Sequence, residues 1–423
     1  MKILWFTNTP SLYKKTPSKY NGCGWIASLE QIIAGEKNIE LAVSFFHTDE
    51  CFKSKQGNTT YYPIPLYNTK SKKLKHNLFY NKYDEKEITY YLKVIEDYQP
   101  DVIHVFGSES SFGLITTRTN IPVVIHIQGL LNPCQNAYFA PGSNKLNLIT
   151  QHFFKPAKLF DLLRVFSFFN YNVKREAEIL KNSKYFMGRT NWDRDVTSLY
   201  APGAKYFYCS EVLRDIFYTS SPWQLKNRDK IILVSVISKT TYKGFDLILK
   251  AARLLKELTT QNVEWNVFGV KEYKEWGDSL KINYPDVGVV LKGIADSETL
   301  VKNIQAADFF VHPSYIDNSP NSVCEAQMLG IPVISTNVGG ISSLIDNTKS
   351  GYLIPSNDPY ALAARIIELK NNPEKATETG KNGRKSACAR HRKETIKNDL
   401  LNIYEELNNA NANHKSINFN GNV

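Results

Sequence analysis

Uninterrupted apolar runs alternate with amphipathic ones along most of the chain. KILWFTNTP (2–10), IELAVSFFHT (39–48), DVIHVFG (101–107) and PVVIHIQG (122–129) are apolar almost throughout, whereas GWIASLEQIIAG (24–35) and EKEITYYLKVIEDY (85–98) space their apolar residues as a helix does. Strands that are apolar on both faces and separated by helices predict a parallel sheet covered on both sides. The same order returns later. IILVSVIS (231–238) precedes a helix in which Leu247, Ile248, Ala251, Leu254, Leu255 and Leu258 recur at helical spacing, and VEWNVFGV, VGVVLKG, DFFVHPS and IPVIST follow. Two doubly wound α/β domains are expected.

Periodicity lapses over 215–230, DIFYTSSPWQLKNRDK, where Ser, Pro and charge take over. This places a first Rossmann-like domain at 1–215 and a second at 216–408, the last helix being free to pack back on the first domain. The polar tail 409–423 is expected to be disordered. A length of 423 residues suits two such domains, and the absence of any repeat at 20–50 residues argues against a solenoid. Apolar residues make up 42% and charged residues 22%, as in a globular protein, and no run approaches the roughly 18 apolar residues of a membrane span. The opening MKILWFTNTPSLYKK reads as a first strand, not as a secretory leader. Six scattered cysteines (23, 51, 134, 209, 324, 388) form no C-x-x-C pair, which indicates neither a zinc site nor a disulfide framework and fits a reducing cytoplasm. The net charge of +11 favours anionic partners such as nucleotides, anionic lipid or nucleic acid.

Candidate chemistry concentrates in DNSPNSVCEAQMLGIPVISTNVGG (317–340). After an apolar strand, Ser319-Pro320 reads as a helix N-cap followed by proline at the first helical position. A helix N-terminus presents unpaired N–H groups and suits a phosphate, and Asn321 and Ser322 would add donors. Asp317 precedes the helix and Glu325 lies inside it, so the two carboxylates suit separate ends of a polyhydroxyl ligand. An N-capped helix with one solvated and one paired acid explains the pattern equally well. Lys243, in TTYKGFD, also falls at a strand's carboxyl end, where a fixed cation can neutralise a leaving diphosphate without a metal. Gly22 and Gly24 stand before the first helix, where backbone can approach a phosphate. Ligands of open α/β sheets bind beyond the carboxyl ends of the strands, so the site is expected in the cleft between the domains.

These residues resemble glycosyltransferase family 4, retaining GT-B enzymes that use nucleotide sugars. D-x7-E at Asp317 to Glu325, continued by A-x-x-x-G-x-P-V-I-S-T-x-x-G-G, is similar to the family's E-x7-E segment, Y-K-G-F-D (242–246) to its K-G-x-x-x-L segment, and Gly22-Cys23-Gly24 to its N-terminal glycine loop. The resemblance implies two Rossmann-like domains facing a central cleft, a UDP- or GDP-linked sugar as co-substrate, and no metal or other cofactor. It implies that Lys243 binds the donor diphosphate, Asp317 contacts the transferred sugar, Glu325 holds the ribose hydroxyls, Asn321 and Ser322 supply donors, and Gly24 lets the loop close. Three positions depart from the family: Asp317 for Glu, Ser238 for Arg with Lys239 as the neighbouring cation, and Gln128 for His. Gln128 cannot be a general base. Front-face transfer, in which the leaving diphosphate takes the acceptor proton, tolerates that loss. The implied acceptor is a glycan or lipid-linked glycan, the implied setting bacterial surface polysaccharide synthesis.

Asp193-Arg194-Asp195 forms a D-x-D within a helical stretch, and His104 and His312 read as core or strand-end histidines. Arg189 and Trp192 suit either packing or the acceptor side. The segment 152–175, rich in Phe and Leu with Lys and Arg at its margins, suits contact with the inner face of the cytoplasmic membrane, although its apolar residues surround the helix and also suit partial burial. A sugar-nucleotide epimerase of the same architecture and a basic nucleic-acid binder are the alternatives. No nucleic-acid motif supports the latter.

Overall fold

The computed structural model describes residues 1–13, 24–47, 52–65, 80–139, 141, 142, 144, 149, 150, 156–273 and 279–420. It contains two sheets, each with its own core. The first has eight strands in the order β3-β4-β2-β1-β5-β6-β7-β8, with β1 Lys2–Thr7, β2 Glu40–His47, β3 Ser54–Gln56, β4 Thr59–Pro65, β5 Val102–Phe106, β6 Val123–His126, β7 Tyr185–Gly188 and β8 Lys205–Tyr208. All neighbours are parallel except β3 and β4. That antiparallel edge departs from the expected all-parallel pattern because Gly57 (φ 60) turns the chain straight back after three residues.

The second sheet is parallel, in the order β11-β10-β9-β12-β13-β14, with β9 Ile231–Val236, β10 Val263–Phe268, β11 Val289–Gly293, β12 Phe309–His312, β13 Val333–Thr336 and β14 Tyr352–Ile354. The apolar runs bury both faces, as their patterns require: Phe309 and Val311 face one core cluster, Phe310 the other.

The chain divides into unit 1, residues 1–135, 152–212 and 392–423, and unit 2, residues 136–151 and 213–391. The chain passes between the units within its first half as well as after residues 212 and 391, and its last helix belongs to unit 1. The tail also differs from expectation. Helix Lys393–Asn420 runs through the polar stretch after residue 409, continuing from turns anchored by Ile396, Leu400, Ile403, Tyr404 and Leu407 in the core of unit 1. A helix already nucleated by packing extends at little cost.

His104 is a core residue of unit 1. Tyr404 accepts from Trp5 Nε1 (2.8 Å) and meets His104 Nδ1 (2.7 Å), while His104 Nε2 meets His126 Nδ1 (3.1 Å). Burial depresses the His104 pKa to about 3, so its ring is neutral.

Candidate functional site

The loops that follow β9 and β12 are locked together by glycine. After β9 the chain makes one 3₁₀ turn, Thr241–Lys243, and reaches Gly244 (φ 73) before helix Phe245–Leu258. A Cβ on Gly244 would overlap the carbonyl of Pro313, so only glycine lets the two loops lie this close. Tyr315 N–H donates to the Tyr242 carbonyl across the same contact, at 2.7 Å. The result brings Lys243 Nζ to 2.6 Å from Asp317 Oδ2, with the two side chains 21% and 14% exposed.

The paired glycines beyond β13 have a matching role. Gly339 (φ 52) leaves space that a Cβ would take from the Asp317 carbonyl, and Gly340 N–H donates to that carbonyl at 3.0 Å. Asp317 is thus held through its backbone from one side and through its carboxylate from the other.

His312, the last residue of β12, approaches Asp317 Oδ2 with Nε2 at 3.0 Å, Ser314 Oγ lies at 3.4 Å, and Asn318 N–H donates to Oδ1 at 3.2 Å. Burial works to raise the Asp317 pKa, but the Lys243 charge and the His312 hydrogen bond outweigh it and hold the carboxyl well below its usual range. An ionised carboxylate only accepts, so His312 presents its Nε2 proton. Asp317 is therefore a fixed anion that aims Lys243, and not a proton donor.

Helix Asn321–Leu329 begins one residue later than expected. Pro320 (φ −67, ψ 119) is itself the N-cap and no side chain caps the first turn. Proline's missing donor costs nothing at that position, so Ser319 is released from capping and Asn321 and Ser322 become the first two helical residues. Glu325, 4% exposed, accepts from Arg214 Nε (2.9 Å) and Nη2 (2.8 Å). This two-pronged pair occupies two of about four acceptor positions on the carboxylate. Ser238 is exposed, with Oγ 3.0 Å from Thr240 Oγ1. Lys239 Nζ lies 5.7 Å from the Tyr273 ring centre. Neither has a described contact to the Lys243–Asp317 pair.

In unit 1, Gly24 (φ 60) opens helix Gly24–Ile33, and among the described residues no atom lies within 4 Å of its Cβ position. Gly22 lies outside the described residues. Gln128 follows β6, and its carbonyl accepts from Arg189 Nη2 at 3.5 Å. Arg189 is buried against Glu211 (3.2 Å) and over the Trp25 ring (5.2 Å). The D-x-D is structural: Asp193 accepts from Arg189 N–H at 3.1 Å, while exposed Asp195 pairs with its neighbour Arg194. Two residues of unit 2 go beyond the sequence reading. His312 has the signal of ending a strand five residues before Asp317, whereas nothing in the sequence distinguishes Arg214.

The family model described as Glycosyl transferases group 1 matches residues 219–386. This segment is similar to the group 1 glycosyltransferases. Lys243, Asp317 and Glu325 all lie within it, and Arg214 lies just outside. Over 146 residues, 32% of this chain and 35% of the relative, the sequence is 32% identical to the putative colanic acid biosynthesis glycosyltransferase WcaL of Salmonella typhimurium. The match spans about a third of that relative's length. Among solved structures, the chain is similar to sucrose-phosphate synthase from Thermosynechococcus elongatus (TM-score 0.70, 16% identity, 97% of this chain and 99% of that one). It is also similar to HepE of Anabaena in complex with UDP-glucose (TM-score 0.62, 14% identity, 96% and 100%). At such identities the likeness establishes the fold, which is GT-B, and nothing finer.

Proposed function

We propose that this chain is a retaining, metal-independent glycosyltransferase that moves a hexose-type sugar from a nucleotide diphosphate sugar to a glycan or lipid-linked glycan during bacterial surface polysaccharide synthesis. The observation that carries this reading is the Lys243–Asp317 pair, at the carboxyl ends of β9 and β12 and preceding helix Asn321–Leu329, inside the segment similar to the group 1 glycosyltransferases. The relative named for colanic acid biosynthesis supports the setting, and the neighbour that holds UDP-glucose supports testing UDP first.

Lys243 takes the charge of the donor diphosphate. The first-turn N–H groups of Asn321 and Ser322 and their side chains add donors, and the Glu325 carboxylate receives ribose hydroxyls. Asp317 sets the position of Lys243 and accepts from a hydroxyl of the transferred sugar. The anomeric carbon–oxygen bond breaks with its electron pair passing to the phosphate oxygen. The acceptor oxygen bonds to the anomeric carbon on the same face, and its proton passes to the departing phosphate. The protein's part is positional and electrostatic, so Gln128 need carry no proton. Ser238 and Lys239 lie at the margin of this site. The expected location is cytoplasmic, at the inner face of the membrane.

Calorimetric titration with UDP, GDP and ADP in EDTA tests the donor site. One nucleotide is expected to bind, and Lys243→Ala to weaken it and to lower turnover by roughly 10²- to 10³-fold, the scale of one lost oxyanion donor. Full turnover in Lys243→Ala, or no binding of any nucleotide by folded protein, defeats the reading.

A further inference from the structure

A second group of polar residues lies at the carboxyl end of the unit 1 sheet. The chain leaves β1 for β2 on one side and later enters β5 on the other, so the topological switch point falls between β1 and β5. That is where open α/β sheets take their ligands. Glu109 stands three residues beyond β5. Its loop is pinned by Arg175, whose Nη2 donates to the Glu109 carbonyl (2.8 Å) while Nη1 pairs with buried Asp84 (3.0 Å).

The carboxyl group itself sits between two glycines. Its Oε1 accepts from Gly129 N–H at 3.0 Å, in the loop that carries Gln128. A Cβ on Gly129 would stand 3.0 Å from Oε1, and one on Gly107 (φ 91) would overlap Oε2. Both strand ends are thus shaped around this side chain. Oε2 is shielded from solvent and accepts no hydrogen bond. Burial pushes the Glu109 pKa up to about 7, with Glu176 adding to the rise and Glu109's own backbone N–H, the Gly129 N–H and Arg189 opposing it. If the side chain served only to satisfy Gly129, a glutamine would do so without a buried charge. An acceptor oxygen left over at a strand's carboxyl end is instead suited to a hydroxyl donor.

We propose that Glu109 is the acceptor-binding residue of unit 1, with Oε2 taking the hydrogen bond of a hexopyranoside hydroxyl. This rests on the transferase reading above, and it adds the residue that holds the acceptor. Glu109 faces Arg189 and Glu176 through their charges and Arg175 through its backbone carbonyl, so its own protonation changes the charge balance at that point.

The test uses the full chain, the nucleotide sugar whose base calorimetry selects, and octyl β-D-glucoside, octyl β-D-galactoside and octyl α-D-mannoside as acceptor probes. One probe is expected to accelerate nucleotide release saturably. Glu109→Gln should cost at least tenfold in kcat/KM for that probe and remove the limb near pH 7 from its pH profile, leaving nucleotide affinity unchanged. Glu109→Asp should recover part of the loss. An unchanged probe KM and pH profile in Glu109→Gln overturns the assignment, as does a parallel loss of nucleotide binding, which marks a structural role. Failure of all three probes with the unsubstituted protein, nucleotide binding intact, rejects a hexopyranoside acceptor. Absence of nucleotide binding in that protein instead defeats the transferase reading.

Discussion

Asp317 and Glu109 show how one functional group, the carboxyl, takes opposite electrostatic states in one chain. Asp317 keeps its charge because Lys243 and His312 overcome its burial. Its folded pKa lies below the ordinary value of 3.8, so its contribution to stability is present above that value and is lost as pH falls through the lower one. Glu109 runs the other way. With a folded pKa of about 7 against an ordinary 4.5, the folded state binds the proton more tightly, so stability falls as pH rises from 4.5 towards 7. Glu109→Gln removes this dependence. Urea unfolding should therefore show the variant gaining on the unsubstituted protein between pH 5 and pH 8, by on the order of 2 kcal/mol, discounted from the full shift because the side chain is only half-buried. An equal difference at both pH values would mean that Glu109 is not held protonated in the folded state.

Elements that bury two faces were legible in the sequence, and those that bury little were not. β1, β2, β5, β9, β10 and β12 announce themselves as apolar runs because both faces are covered. β8 buries one of its four residues and β14 has only three, too little for an apolar run to register, and β3–β4 depends on a turn at Gly57. At the site, Lys243, Asp317 and the paired glycines stood out because strand ends and glycines leave local signals. The Arg214–Glu325 pair spans 111 positions, and partner choice over that distance is decided by tertiary packing. Helix Pro156–Lys181 shows an intermediate case. Its buried residues are Val173, Glu176, Ile179 and Leu180, all in its last third, whereas Phe160 is 61% and Val165 49% exposed. Residues 152–155 of the flagged segment lie outside the described residues. No helix among the described residues is long and apolar enough to cross a membrane, and exposed apolar groups with Lys158 and Arg164 nearby suit an anionic lipid surface. The protein is expected to co-sediment with phosphatidylserine vesicles at low salt and to lose most of that binding in Phe160→Ser with Val165→Ser. No association at low salt would remove the membrane from the proposal.

The order of the two units along the chain makes the stability of unit 1 depend on a segment that follows most of unit 2. Residues 213–391, the larger part of unit 2, separate the rest of unit 1 from its segment 392–423. That segment places Ile396, Leu400, Ile403, Tyr404 and Leu407 in the core, each at most 6% exposed. Five such side chains represent on the order of 10 kcal/mol of burial, an upper figure because unfolded chains already bury some area. This is comparable with the whole stability of a domain. Deleting 392–423 should therefore unfold unit 1 while unit 2 keeps its own two clusters intact. Tyr404→Phe is the milder form of the same experiment. It keeps the ring but strands Trp5 Nε1–H and His104 Nδ1, at a cost of about 1–3 kcal/mol. Scanning calorimetry of the truncated chain should show one transition lost and nucleotide binding retained, since Lys243, Asp317 and Glu325 all belong to unit 2. Loss of both transitions would mean that unit 2 draws its stability from unit 1, and the donor site would then have to be treated as a property of the whole chain.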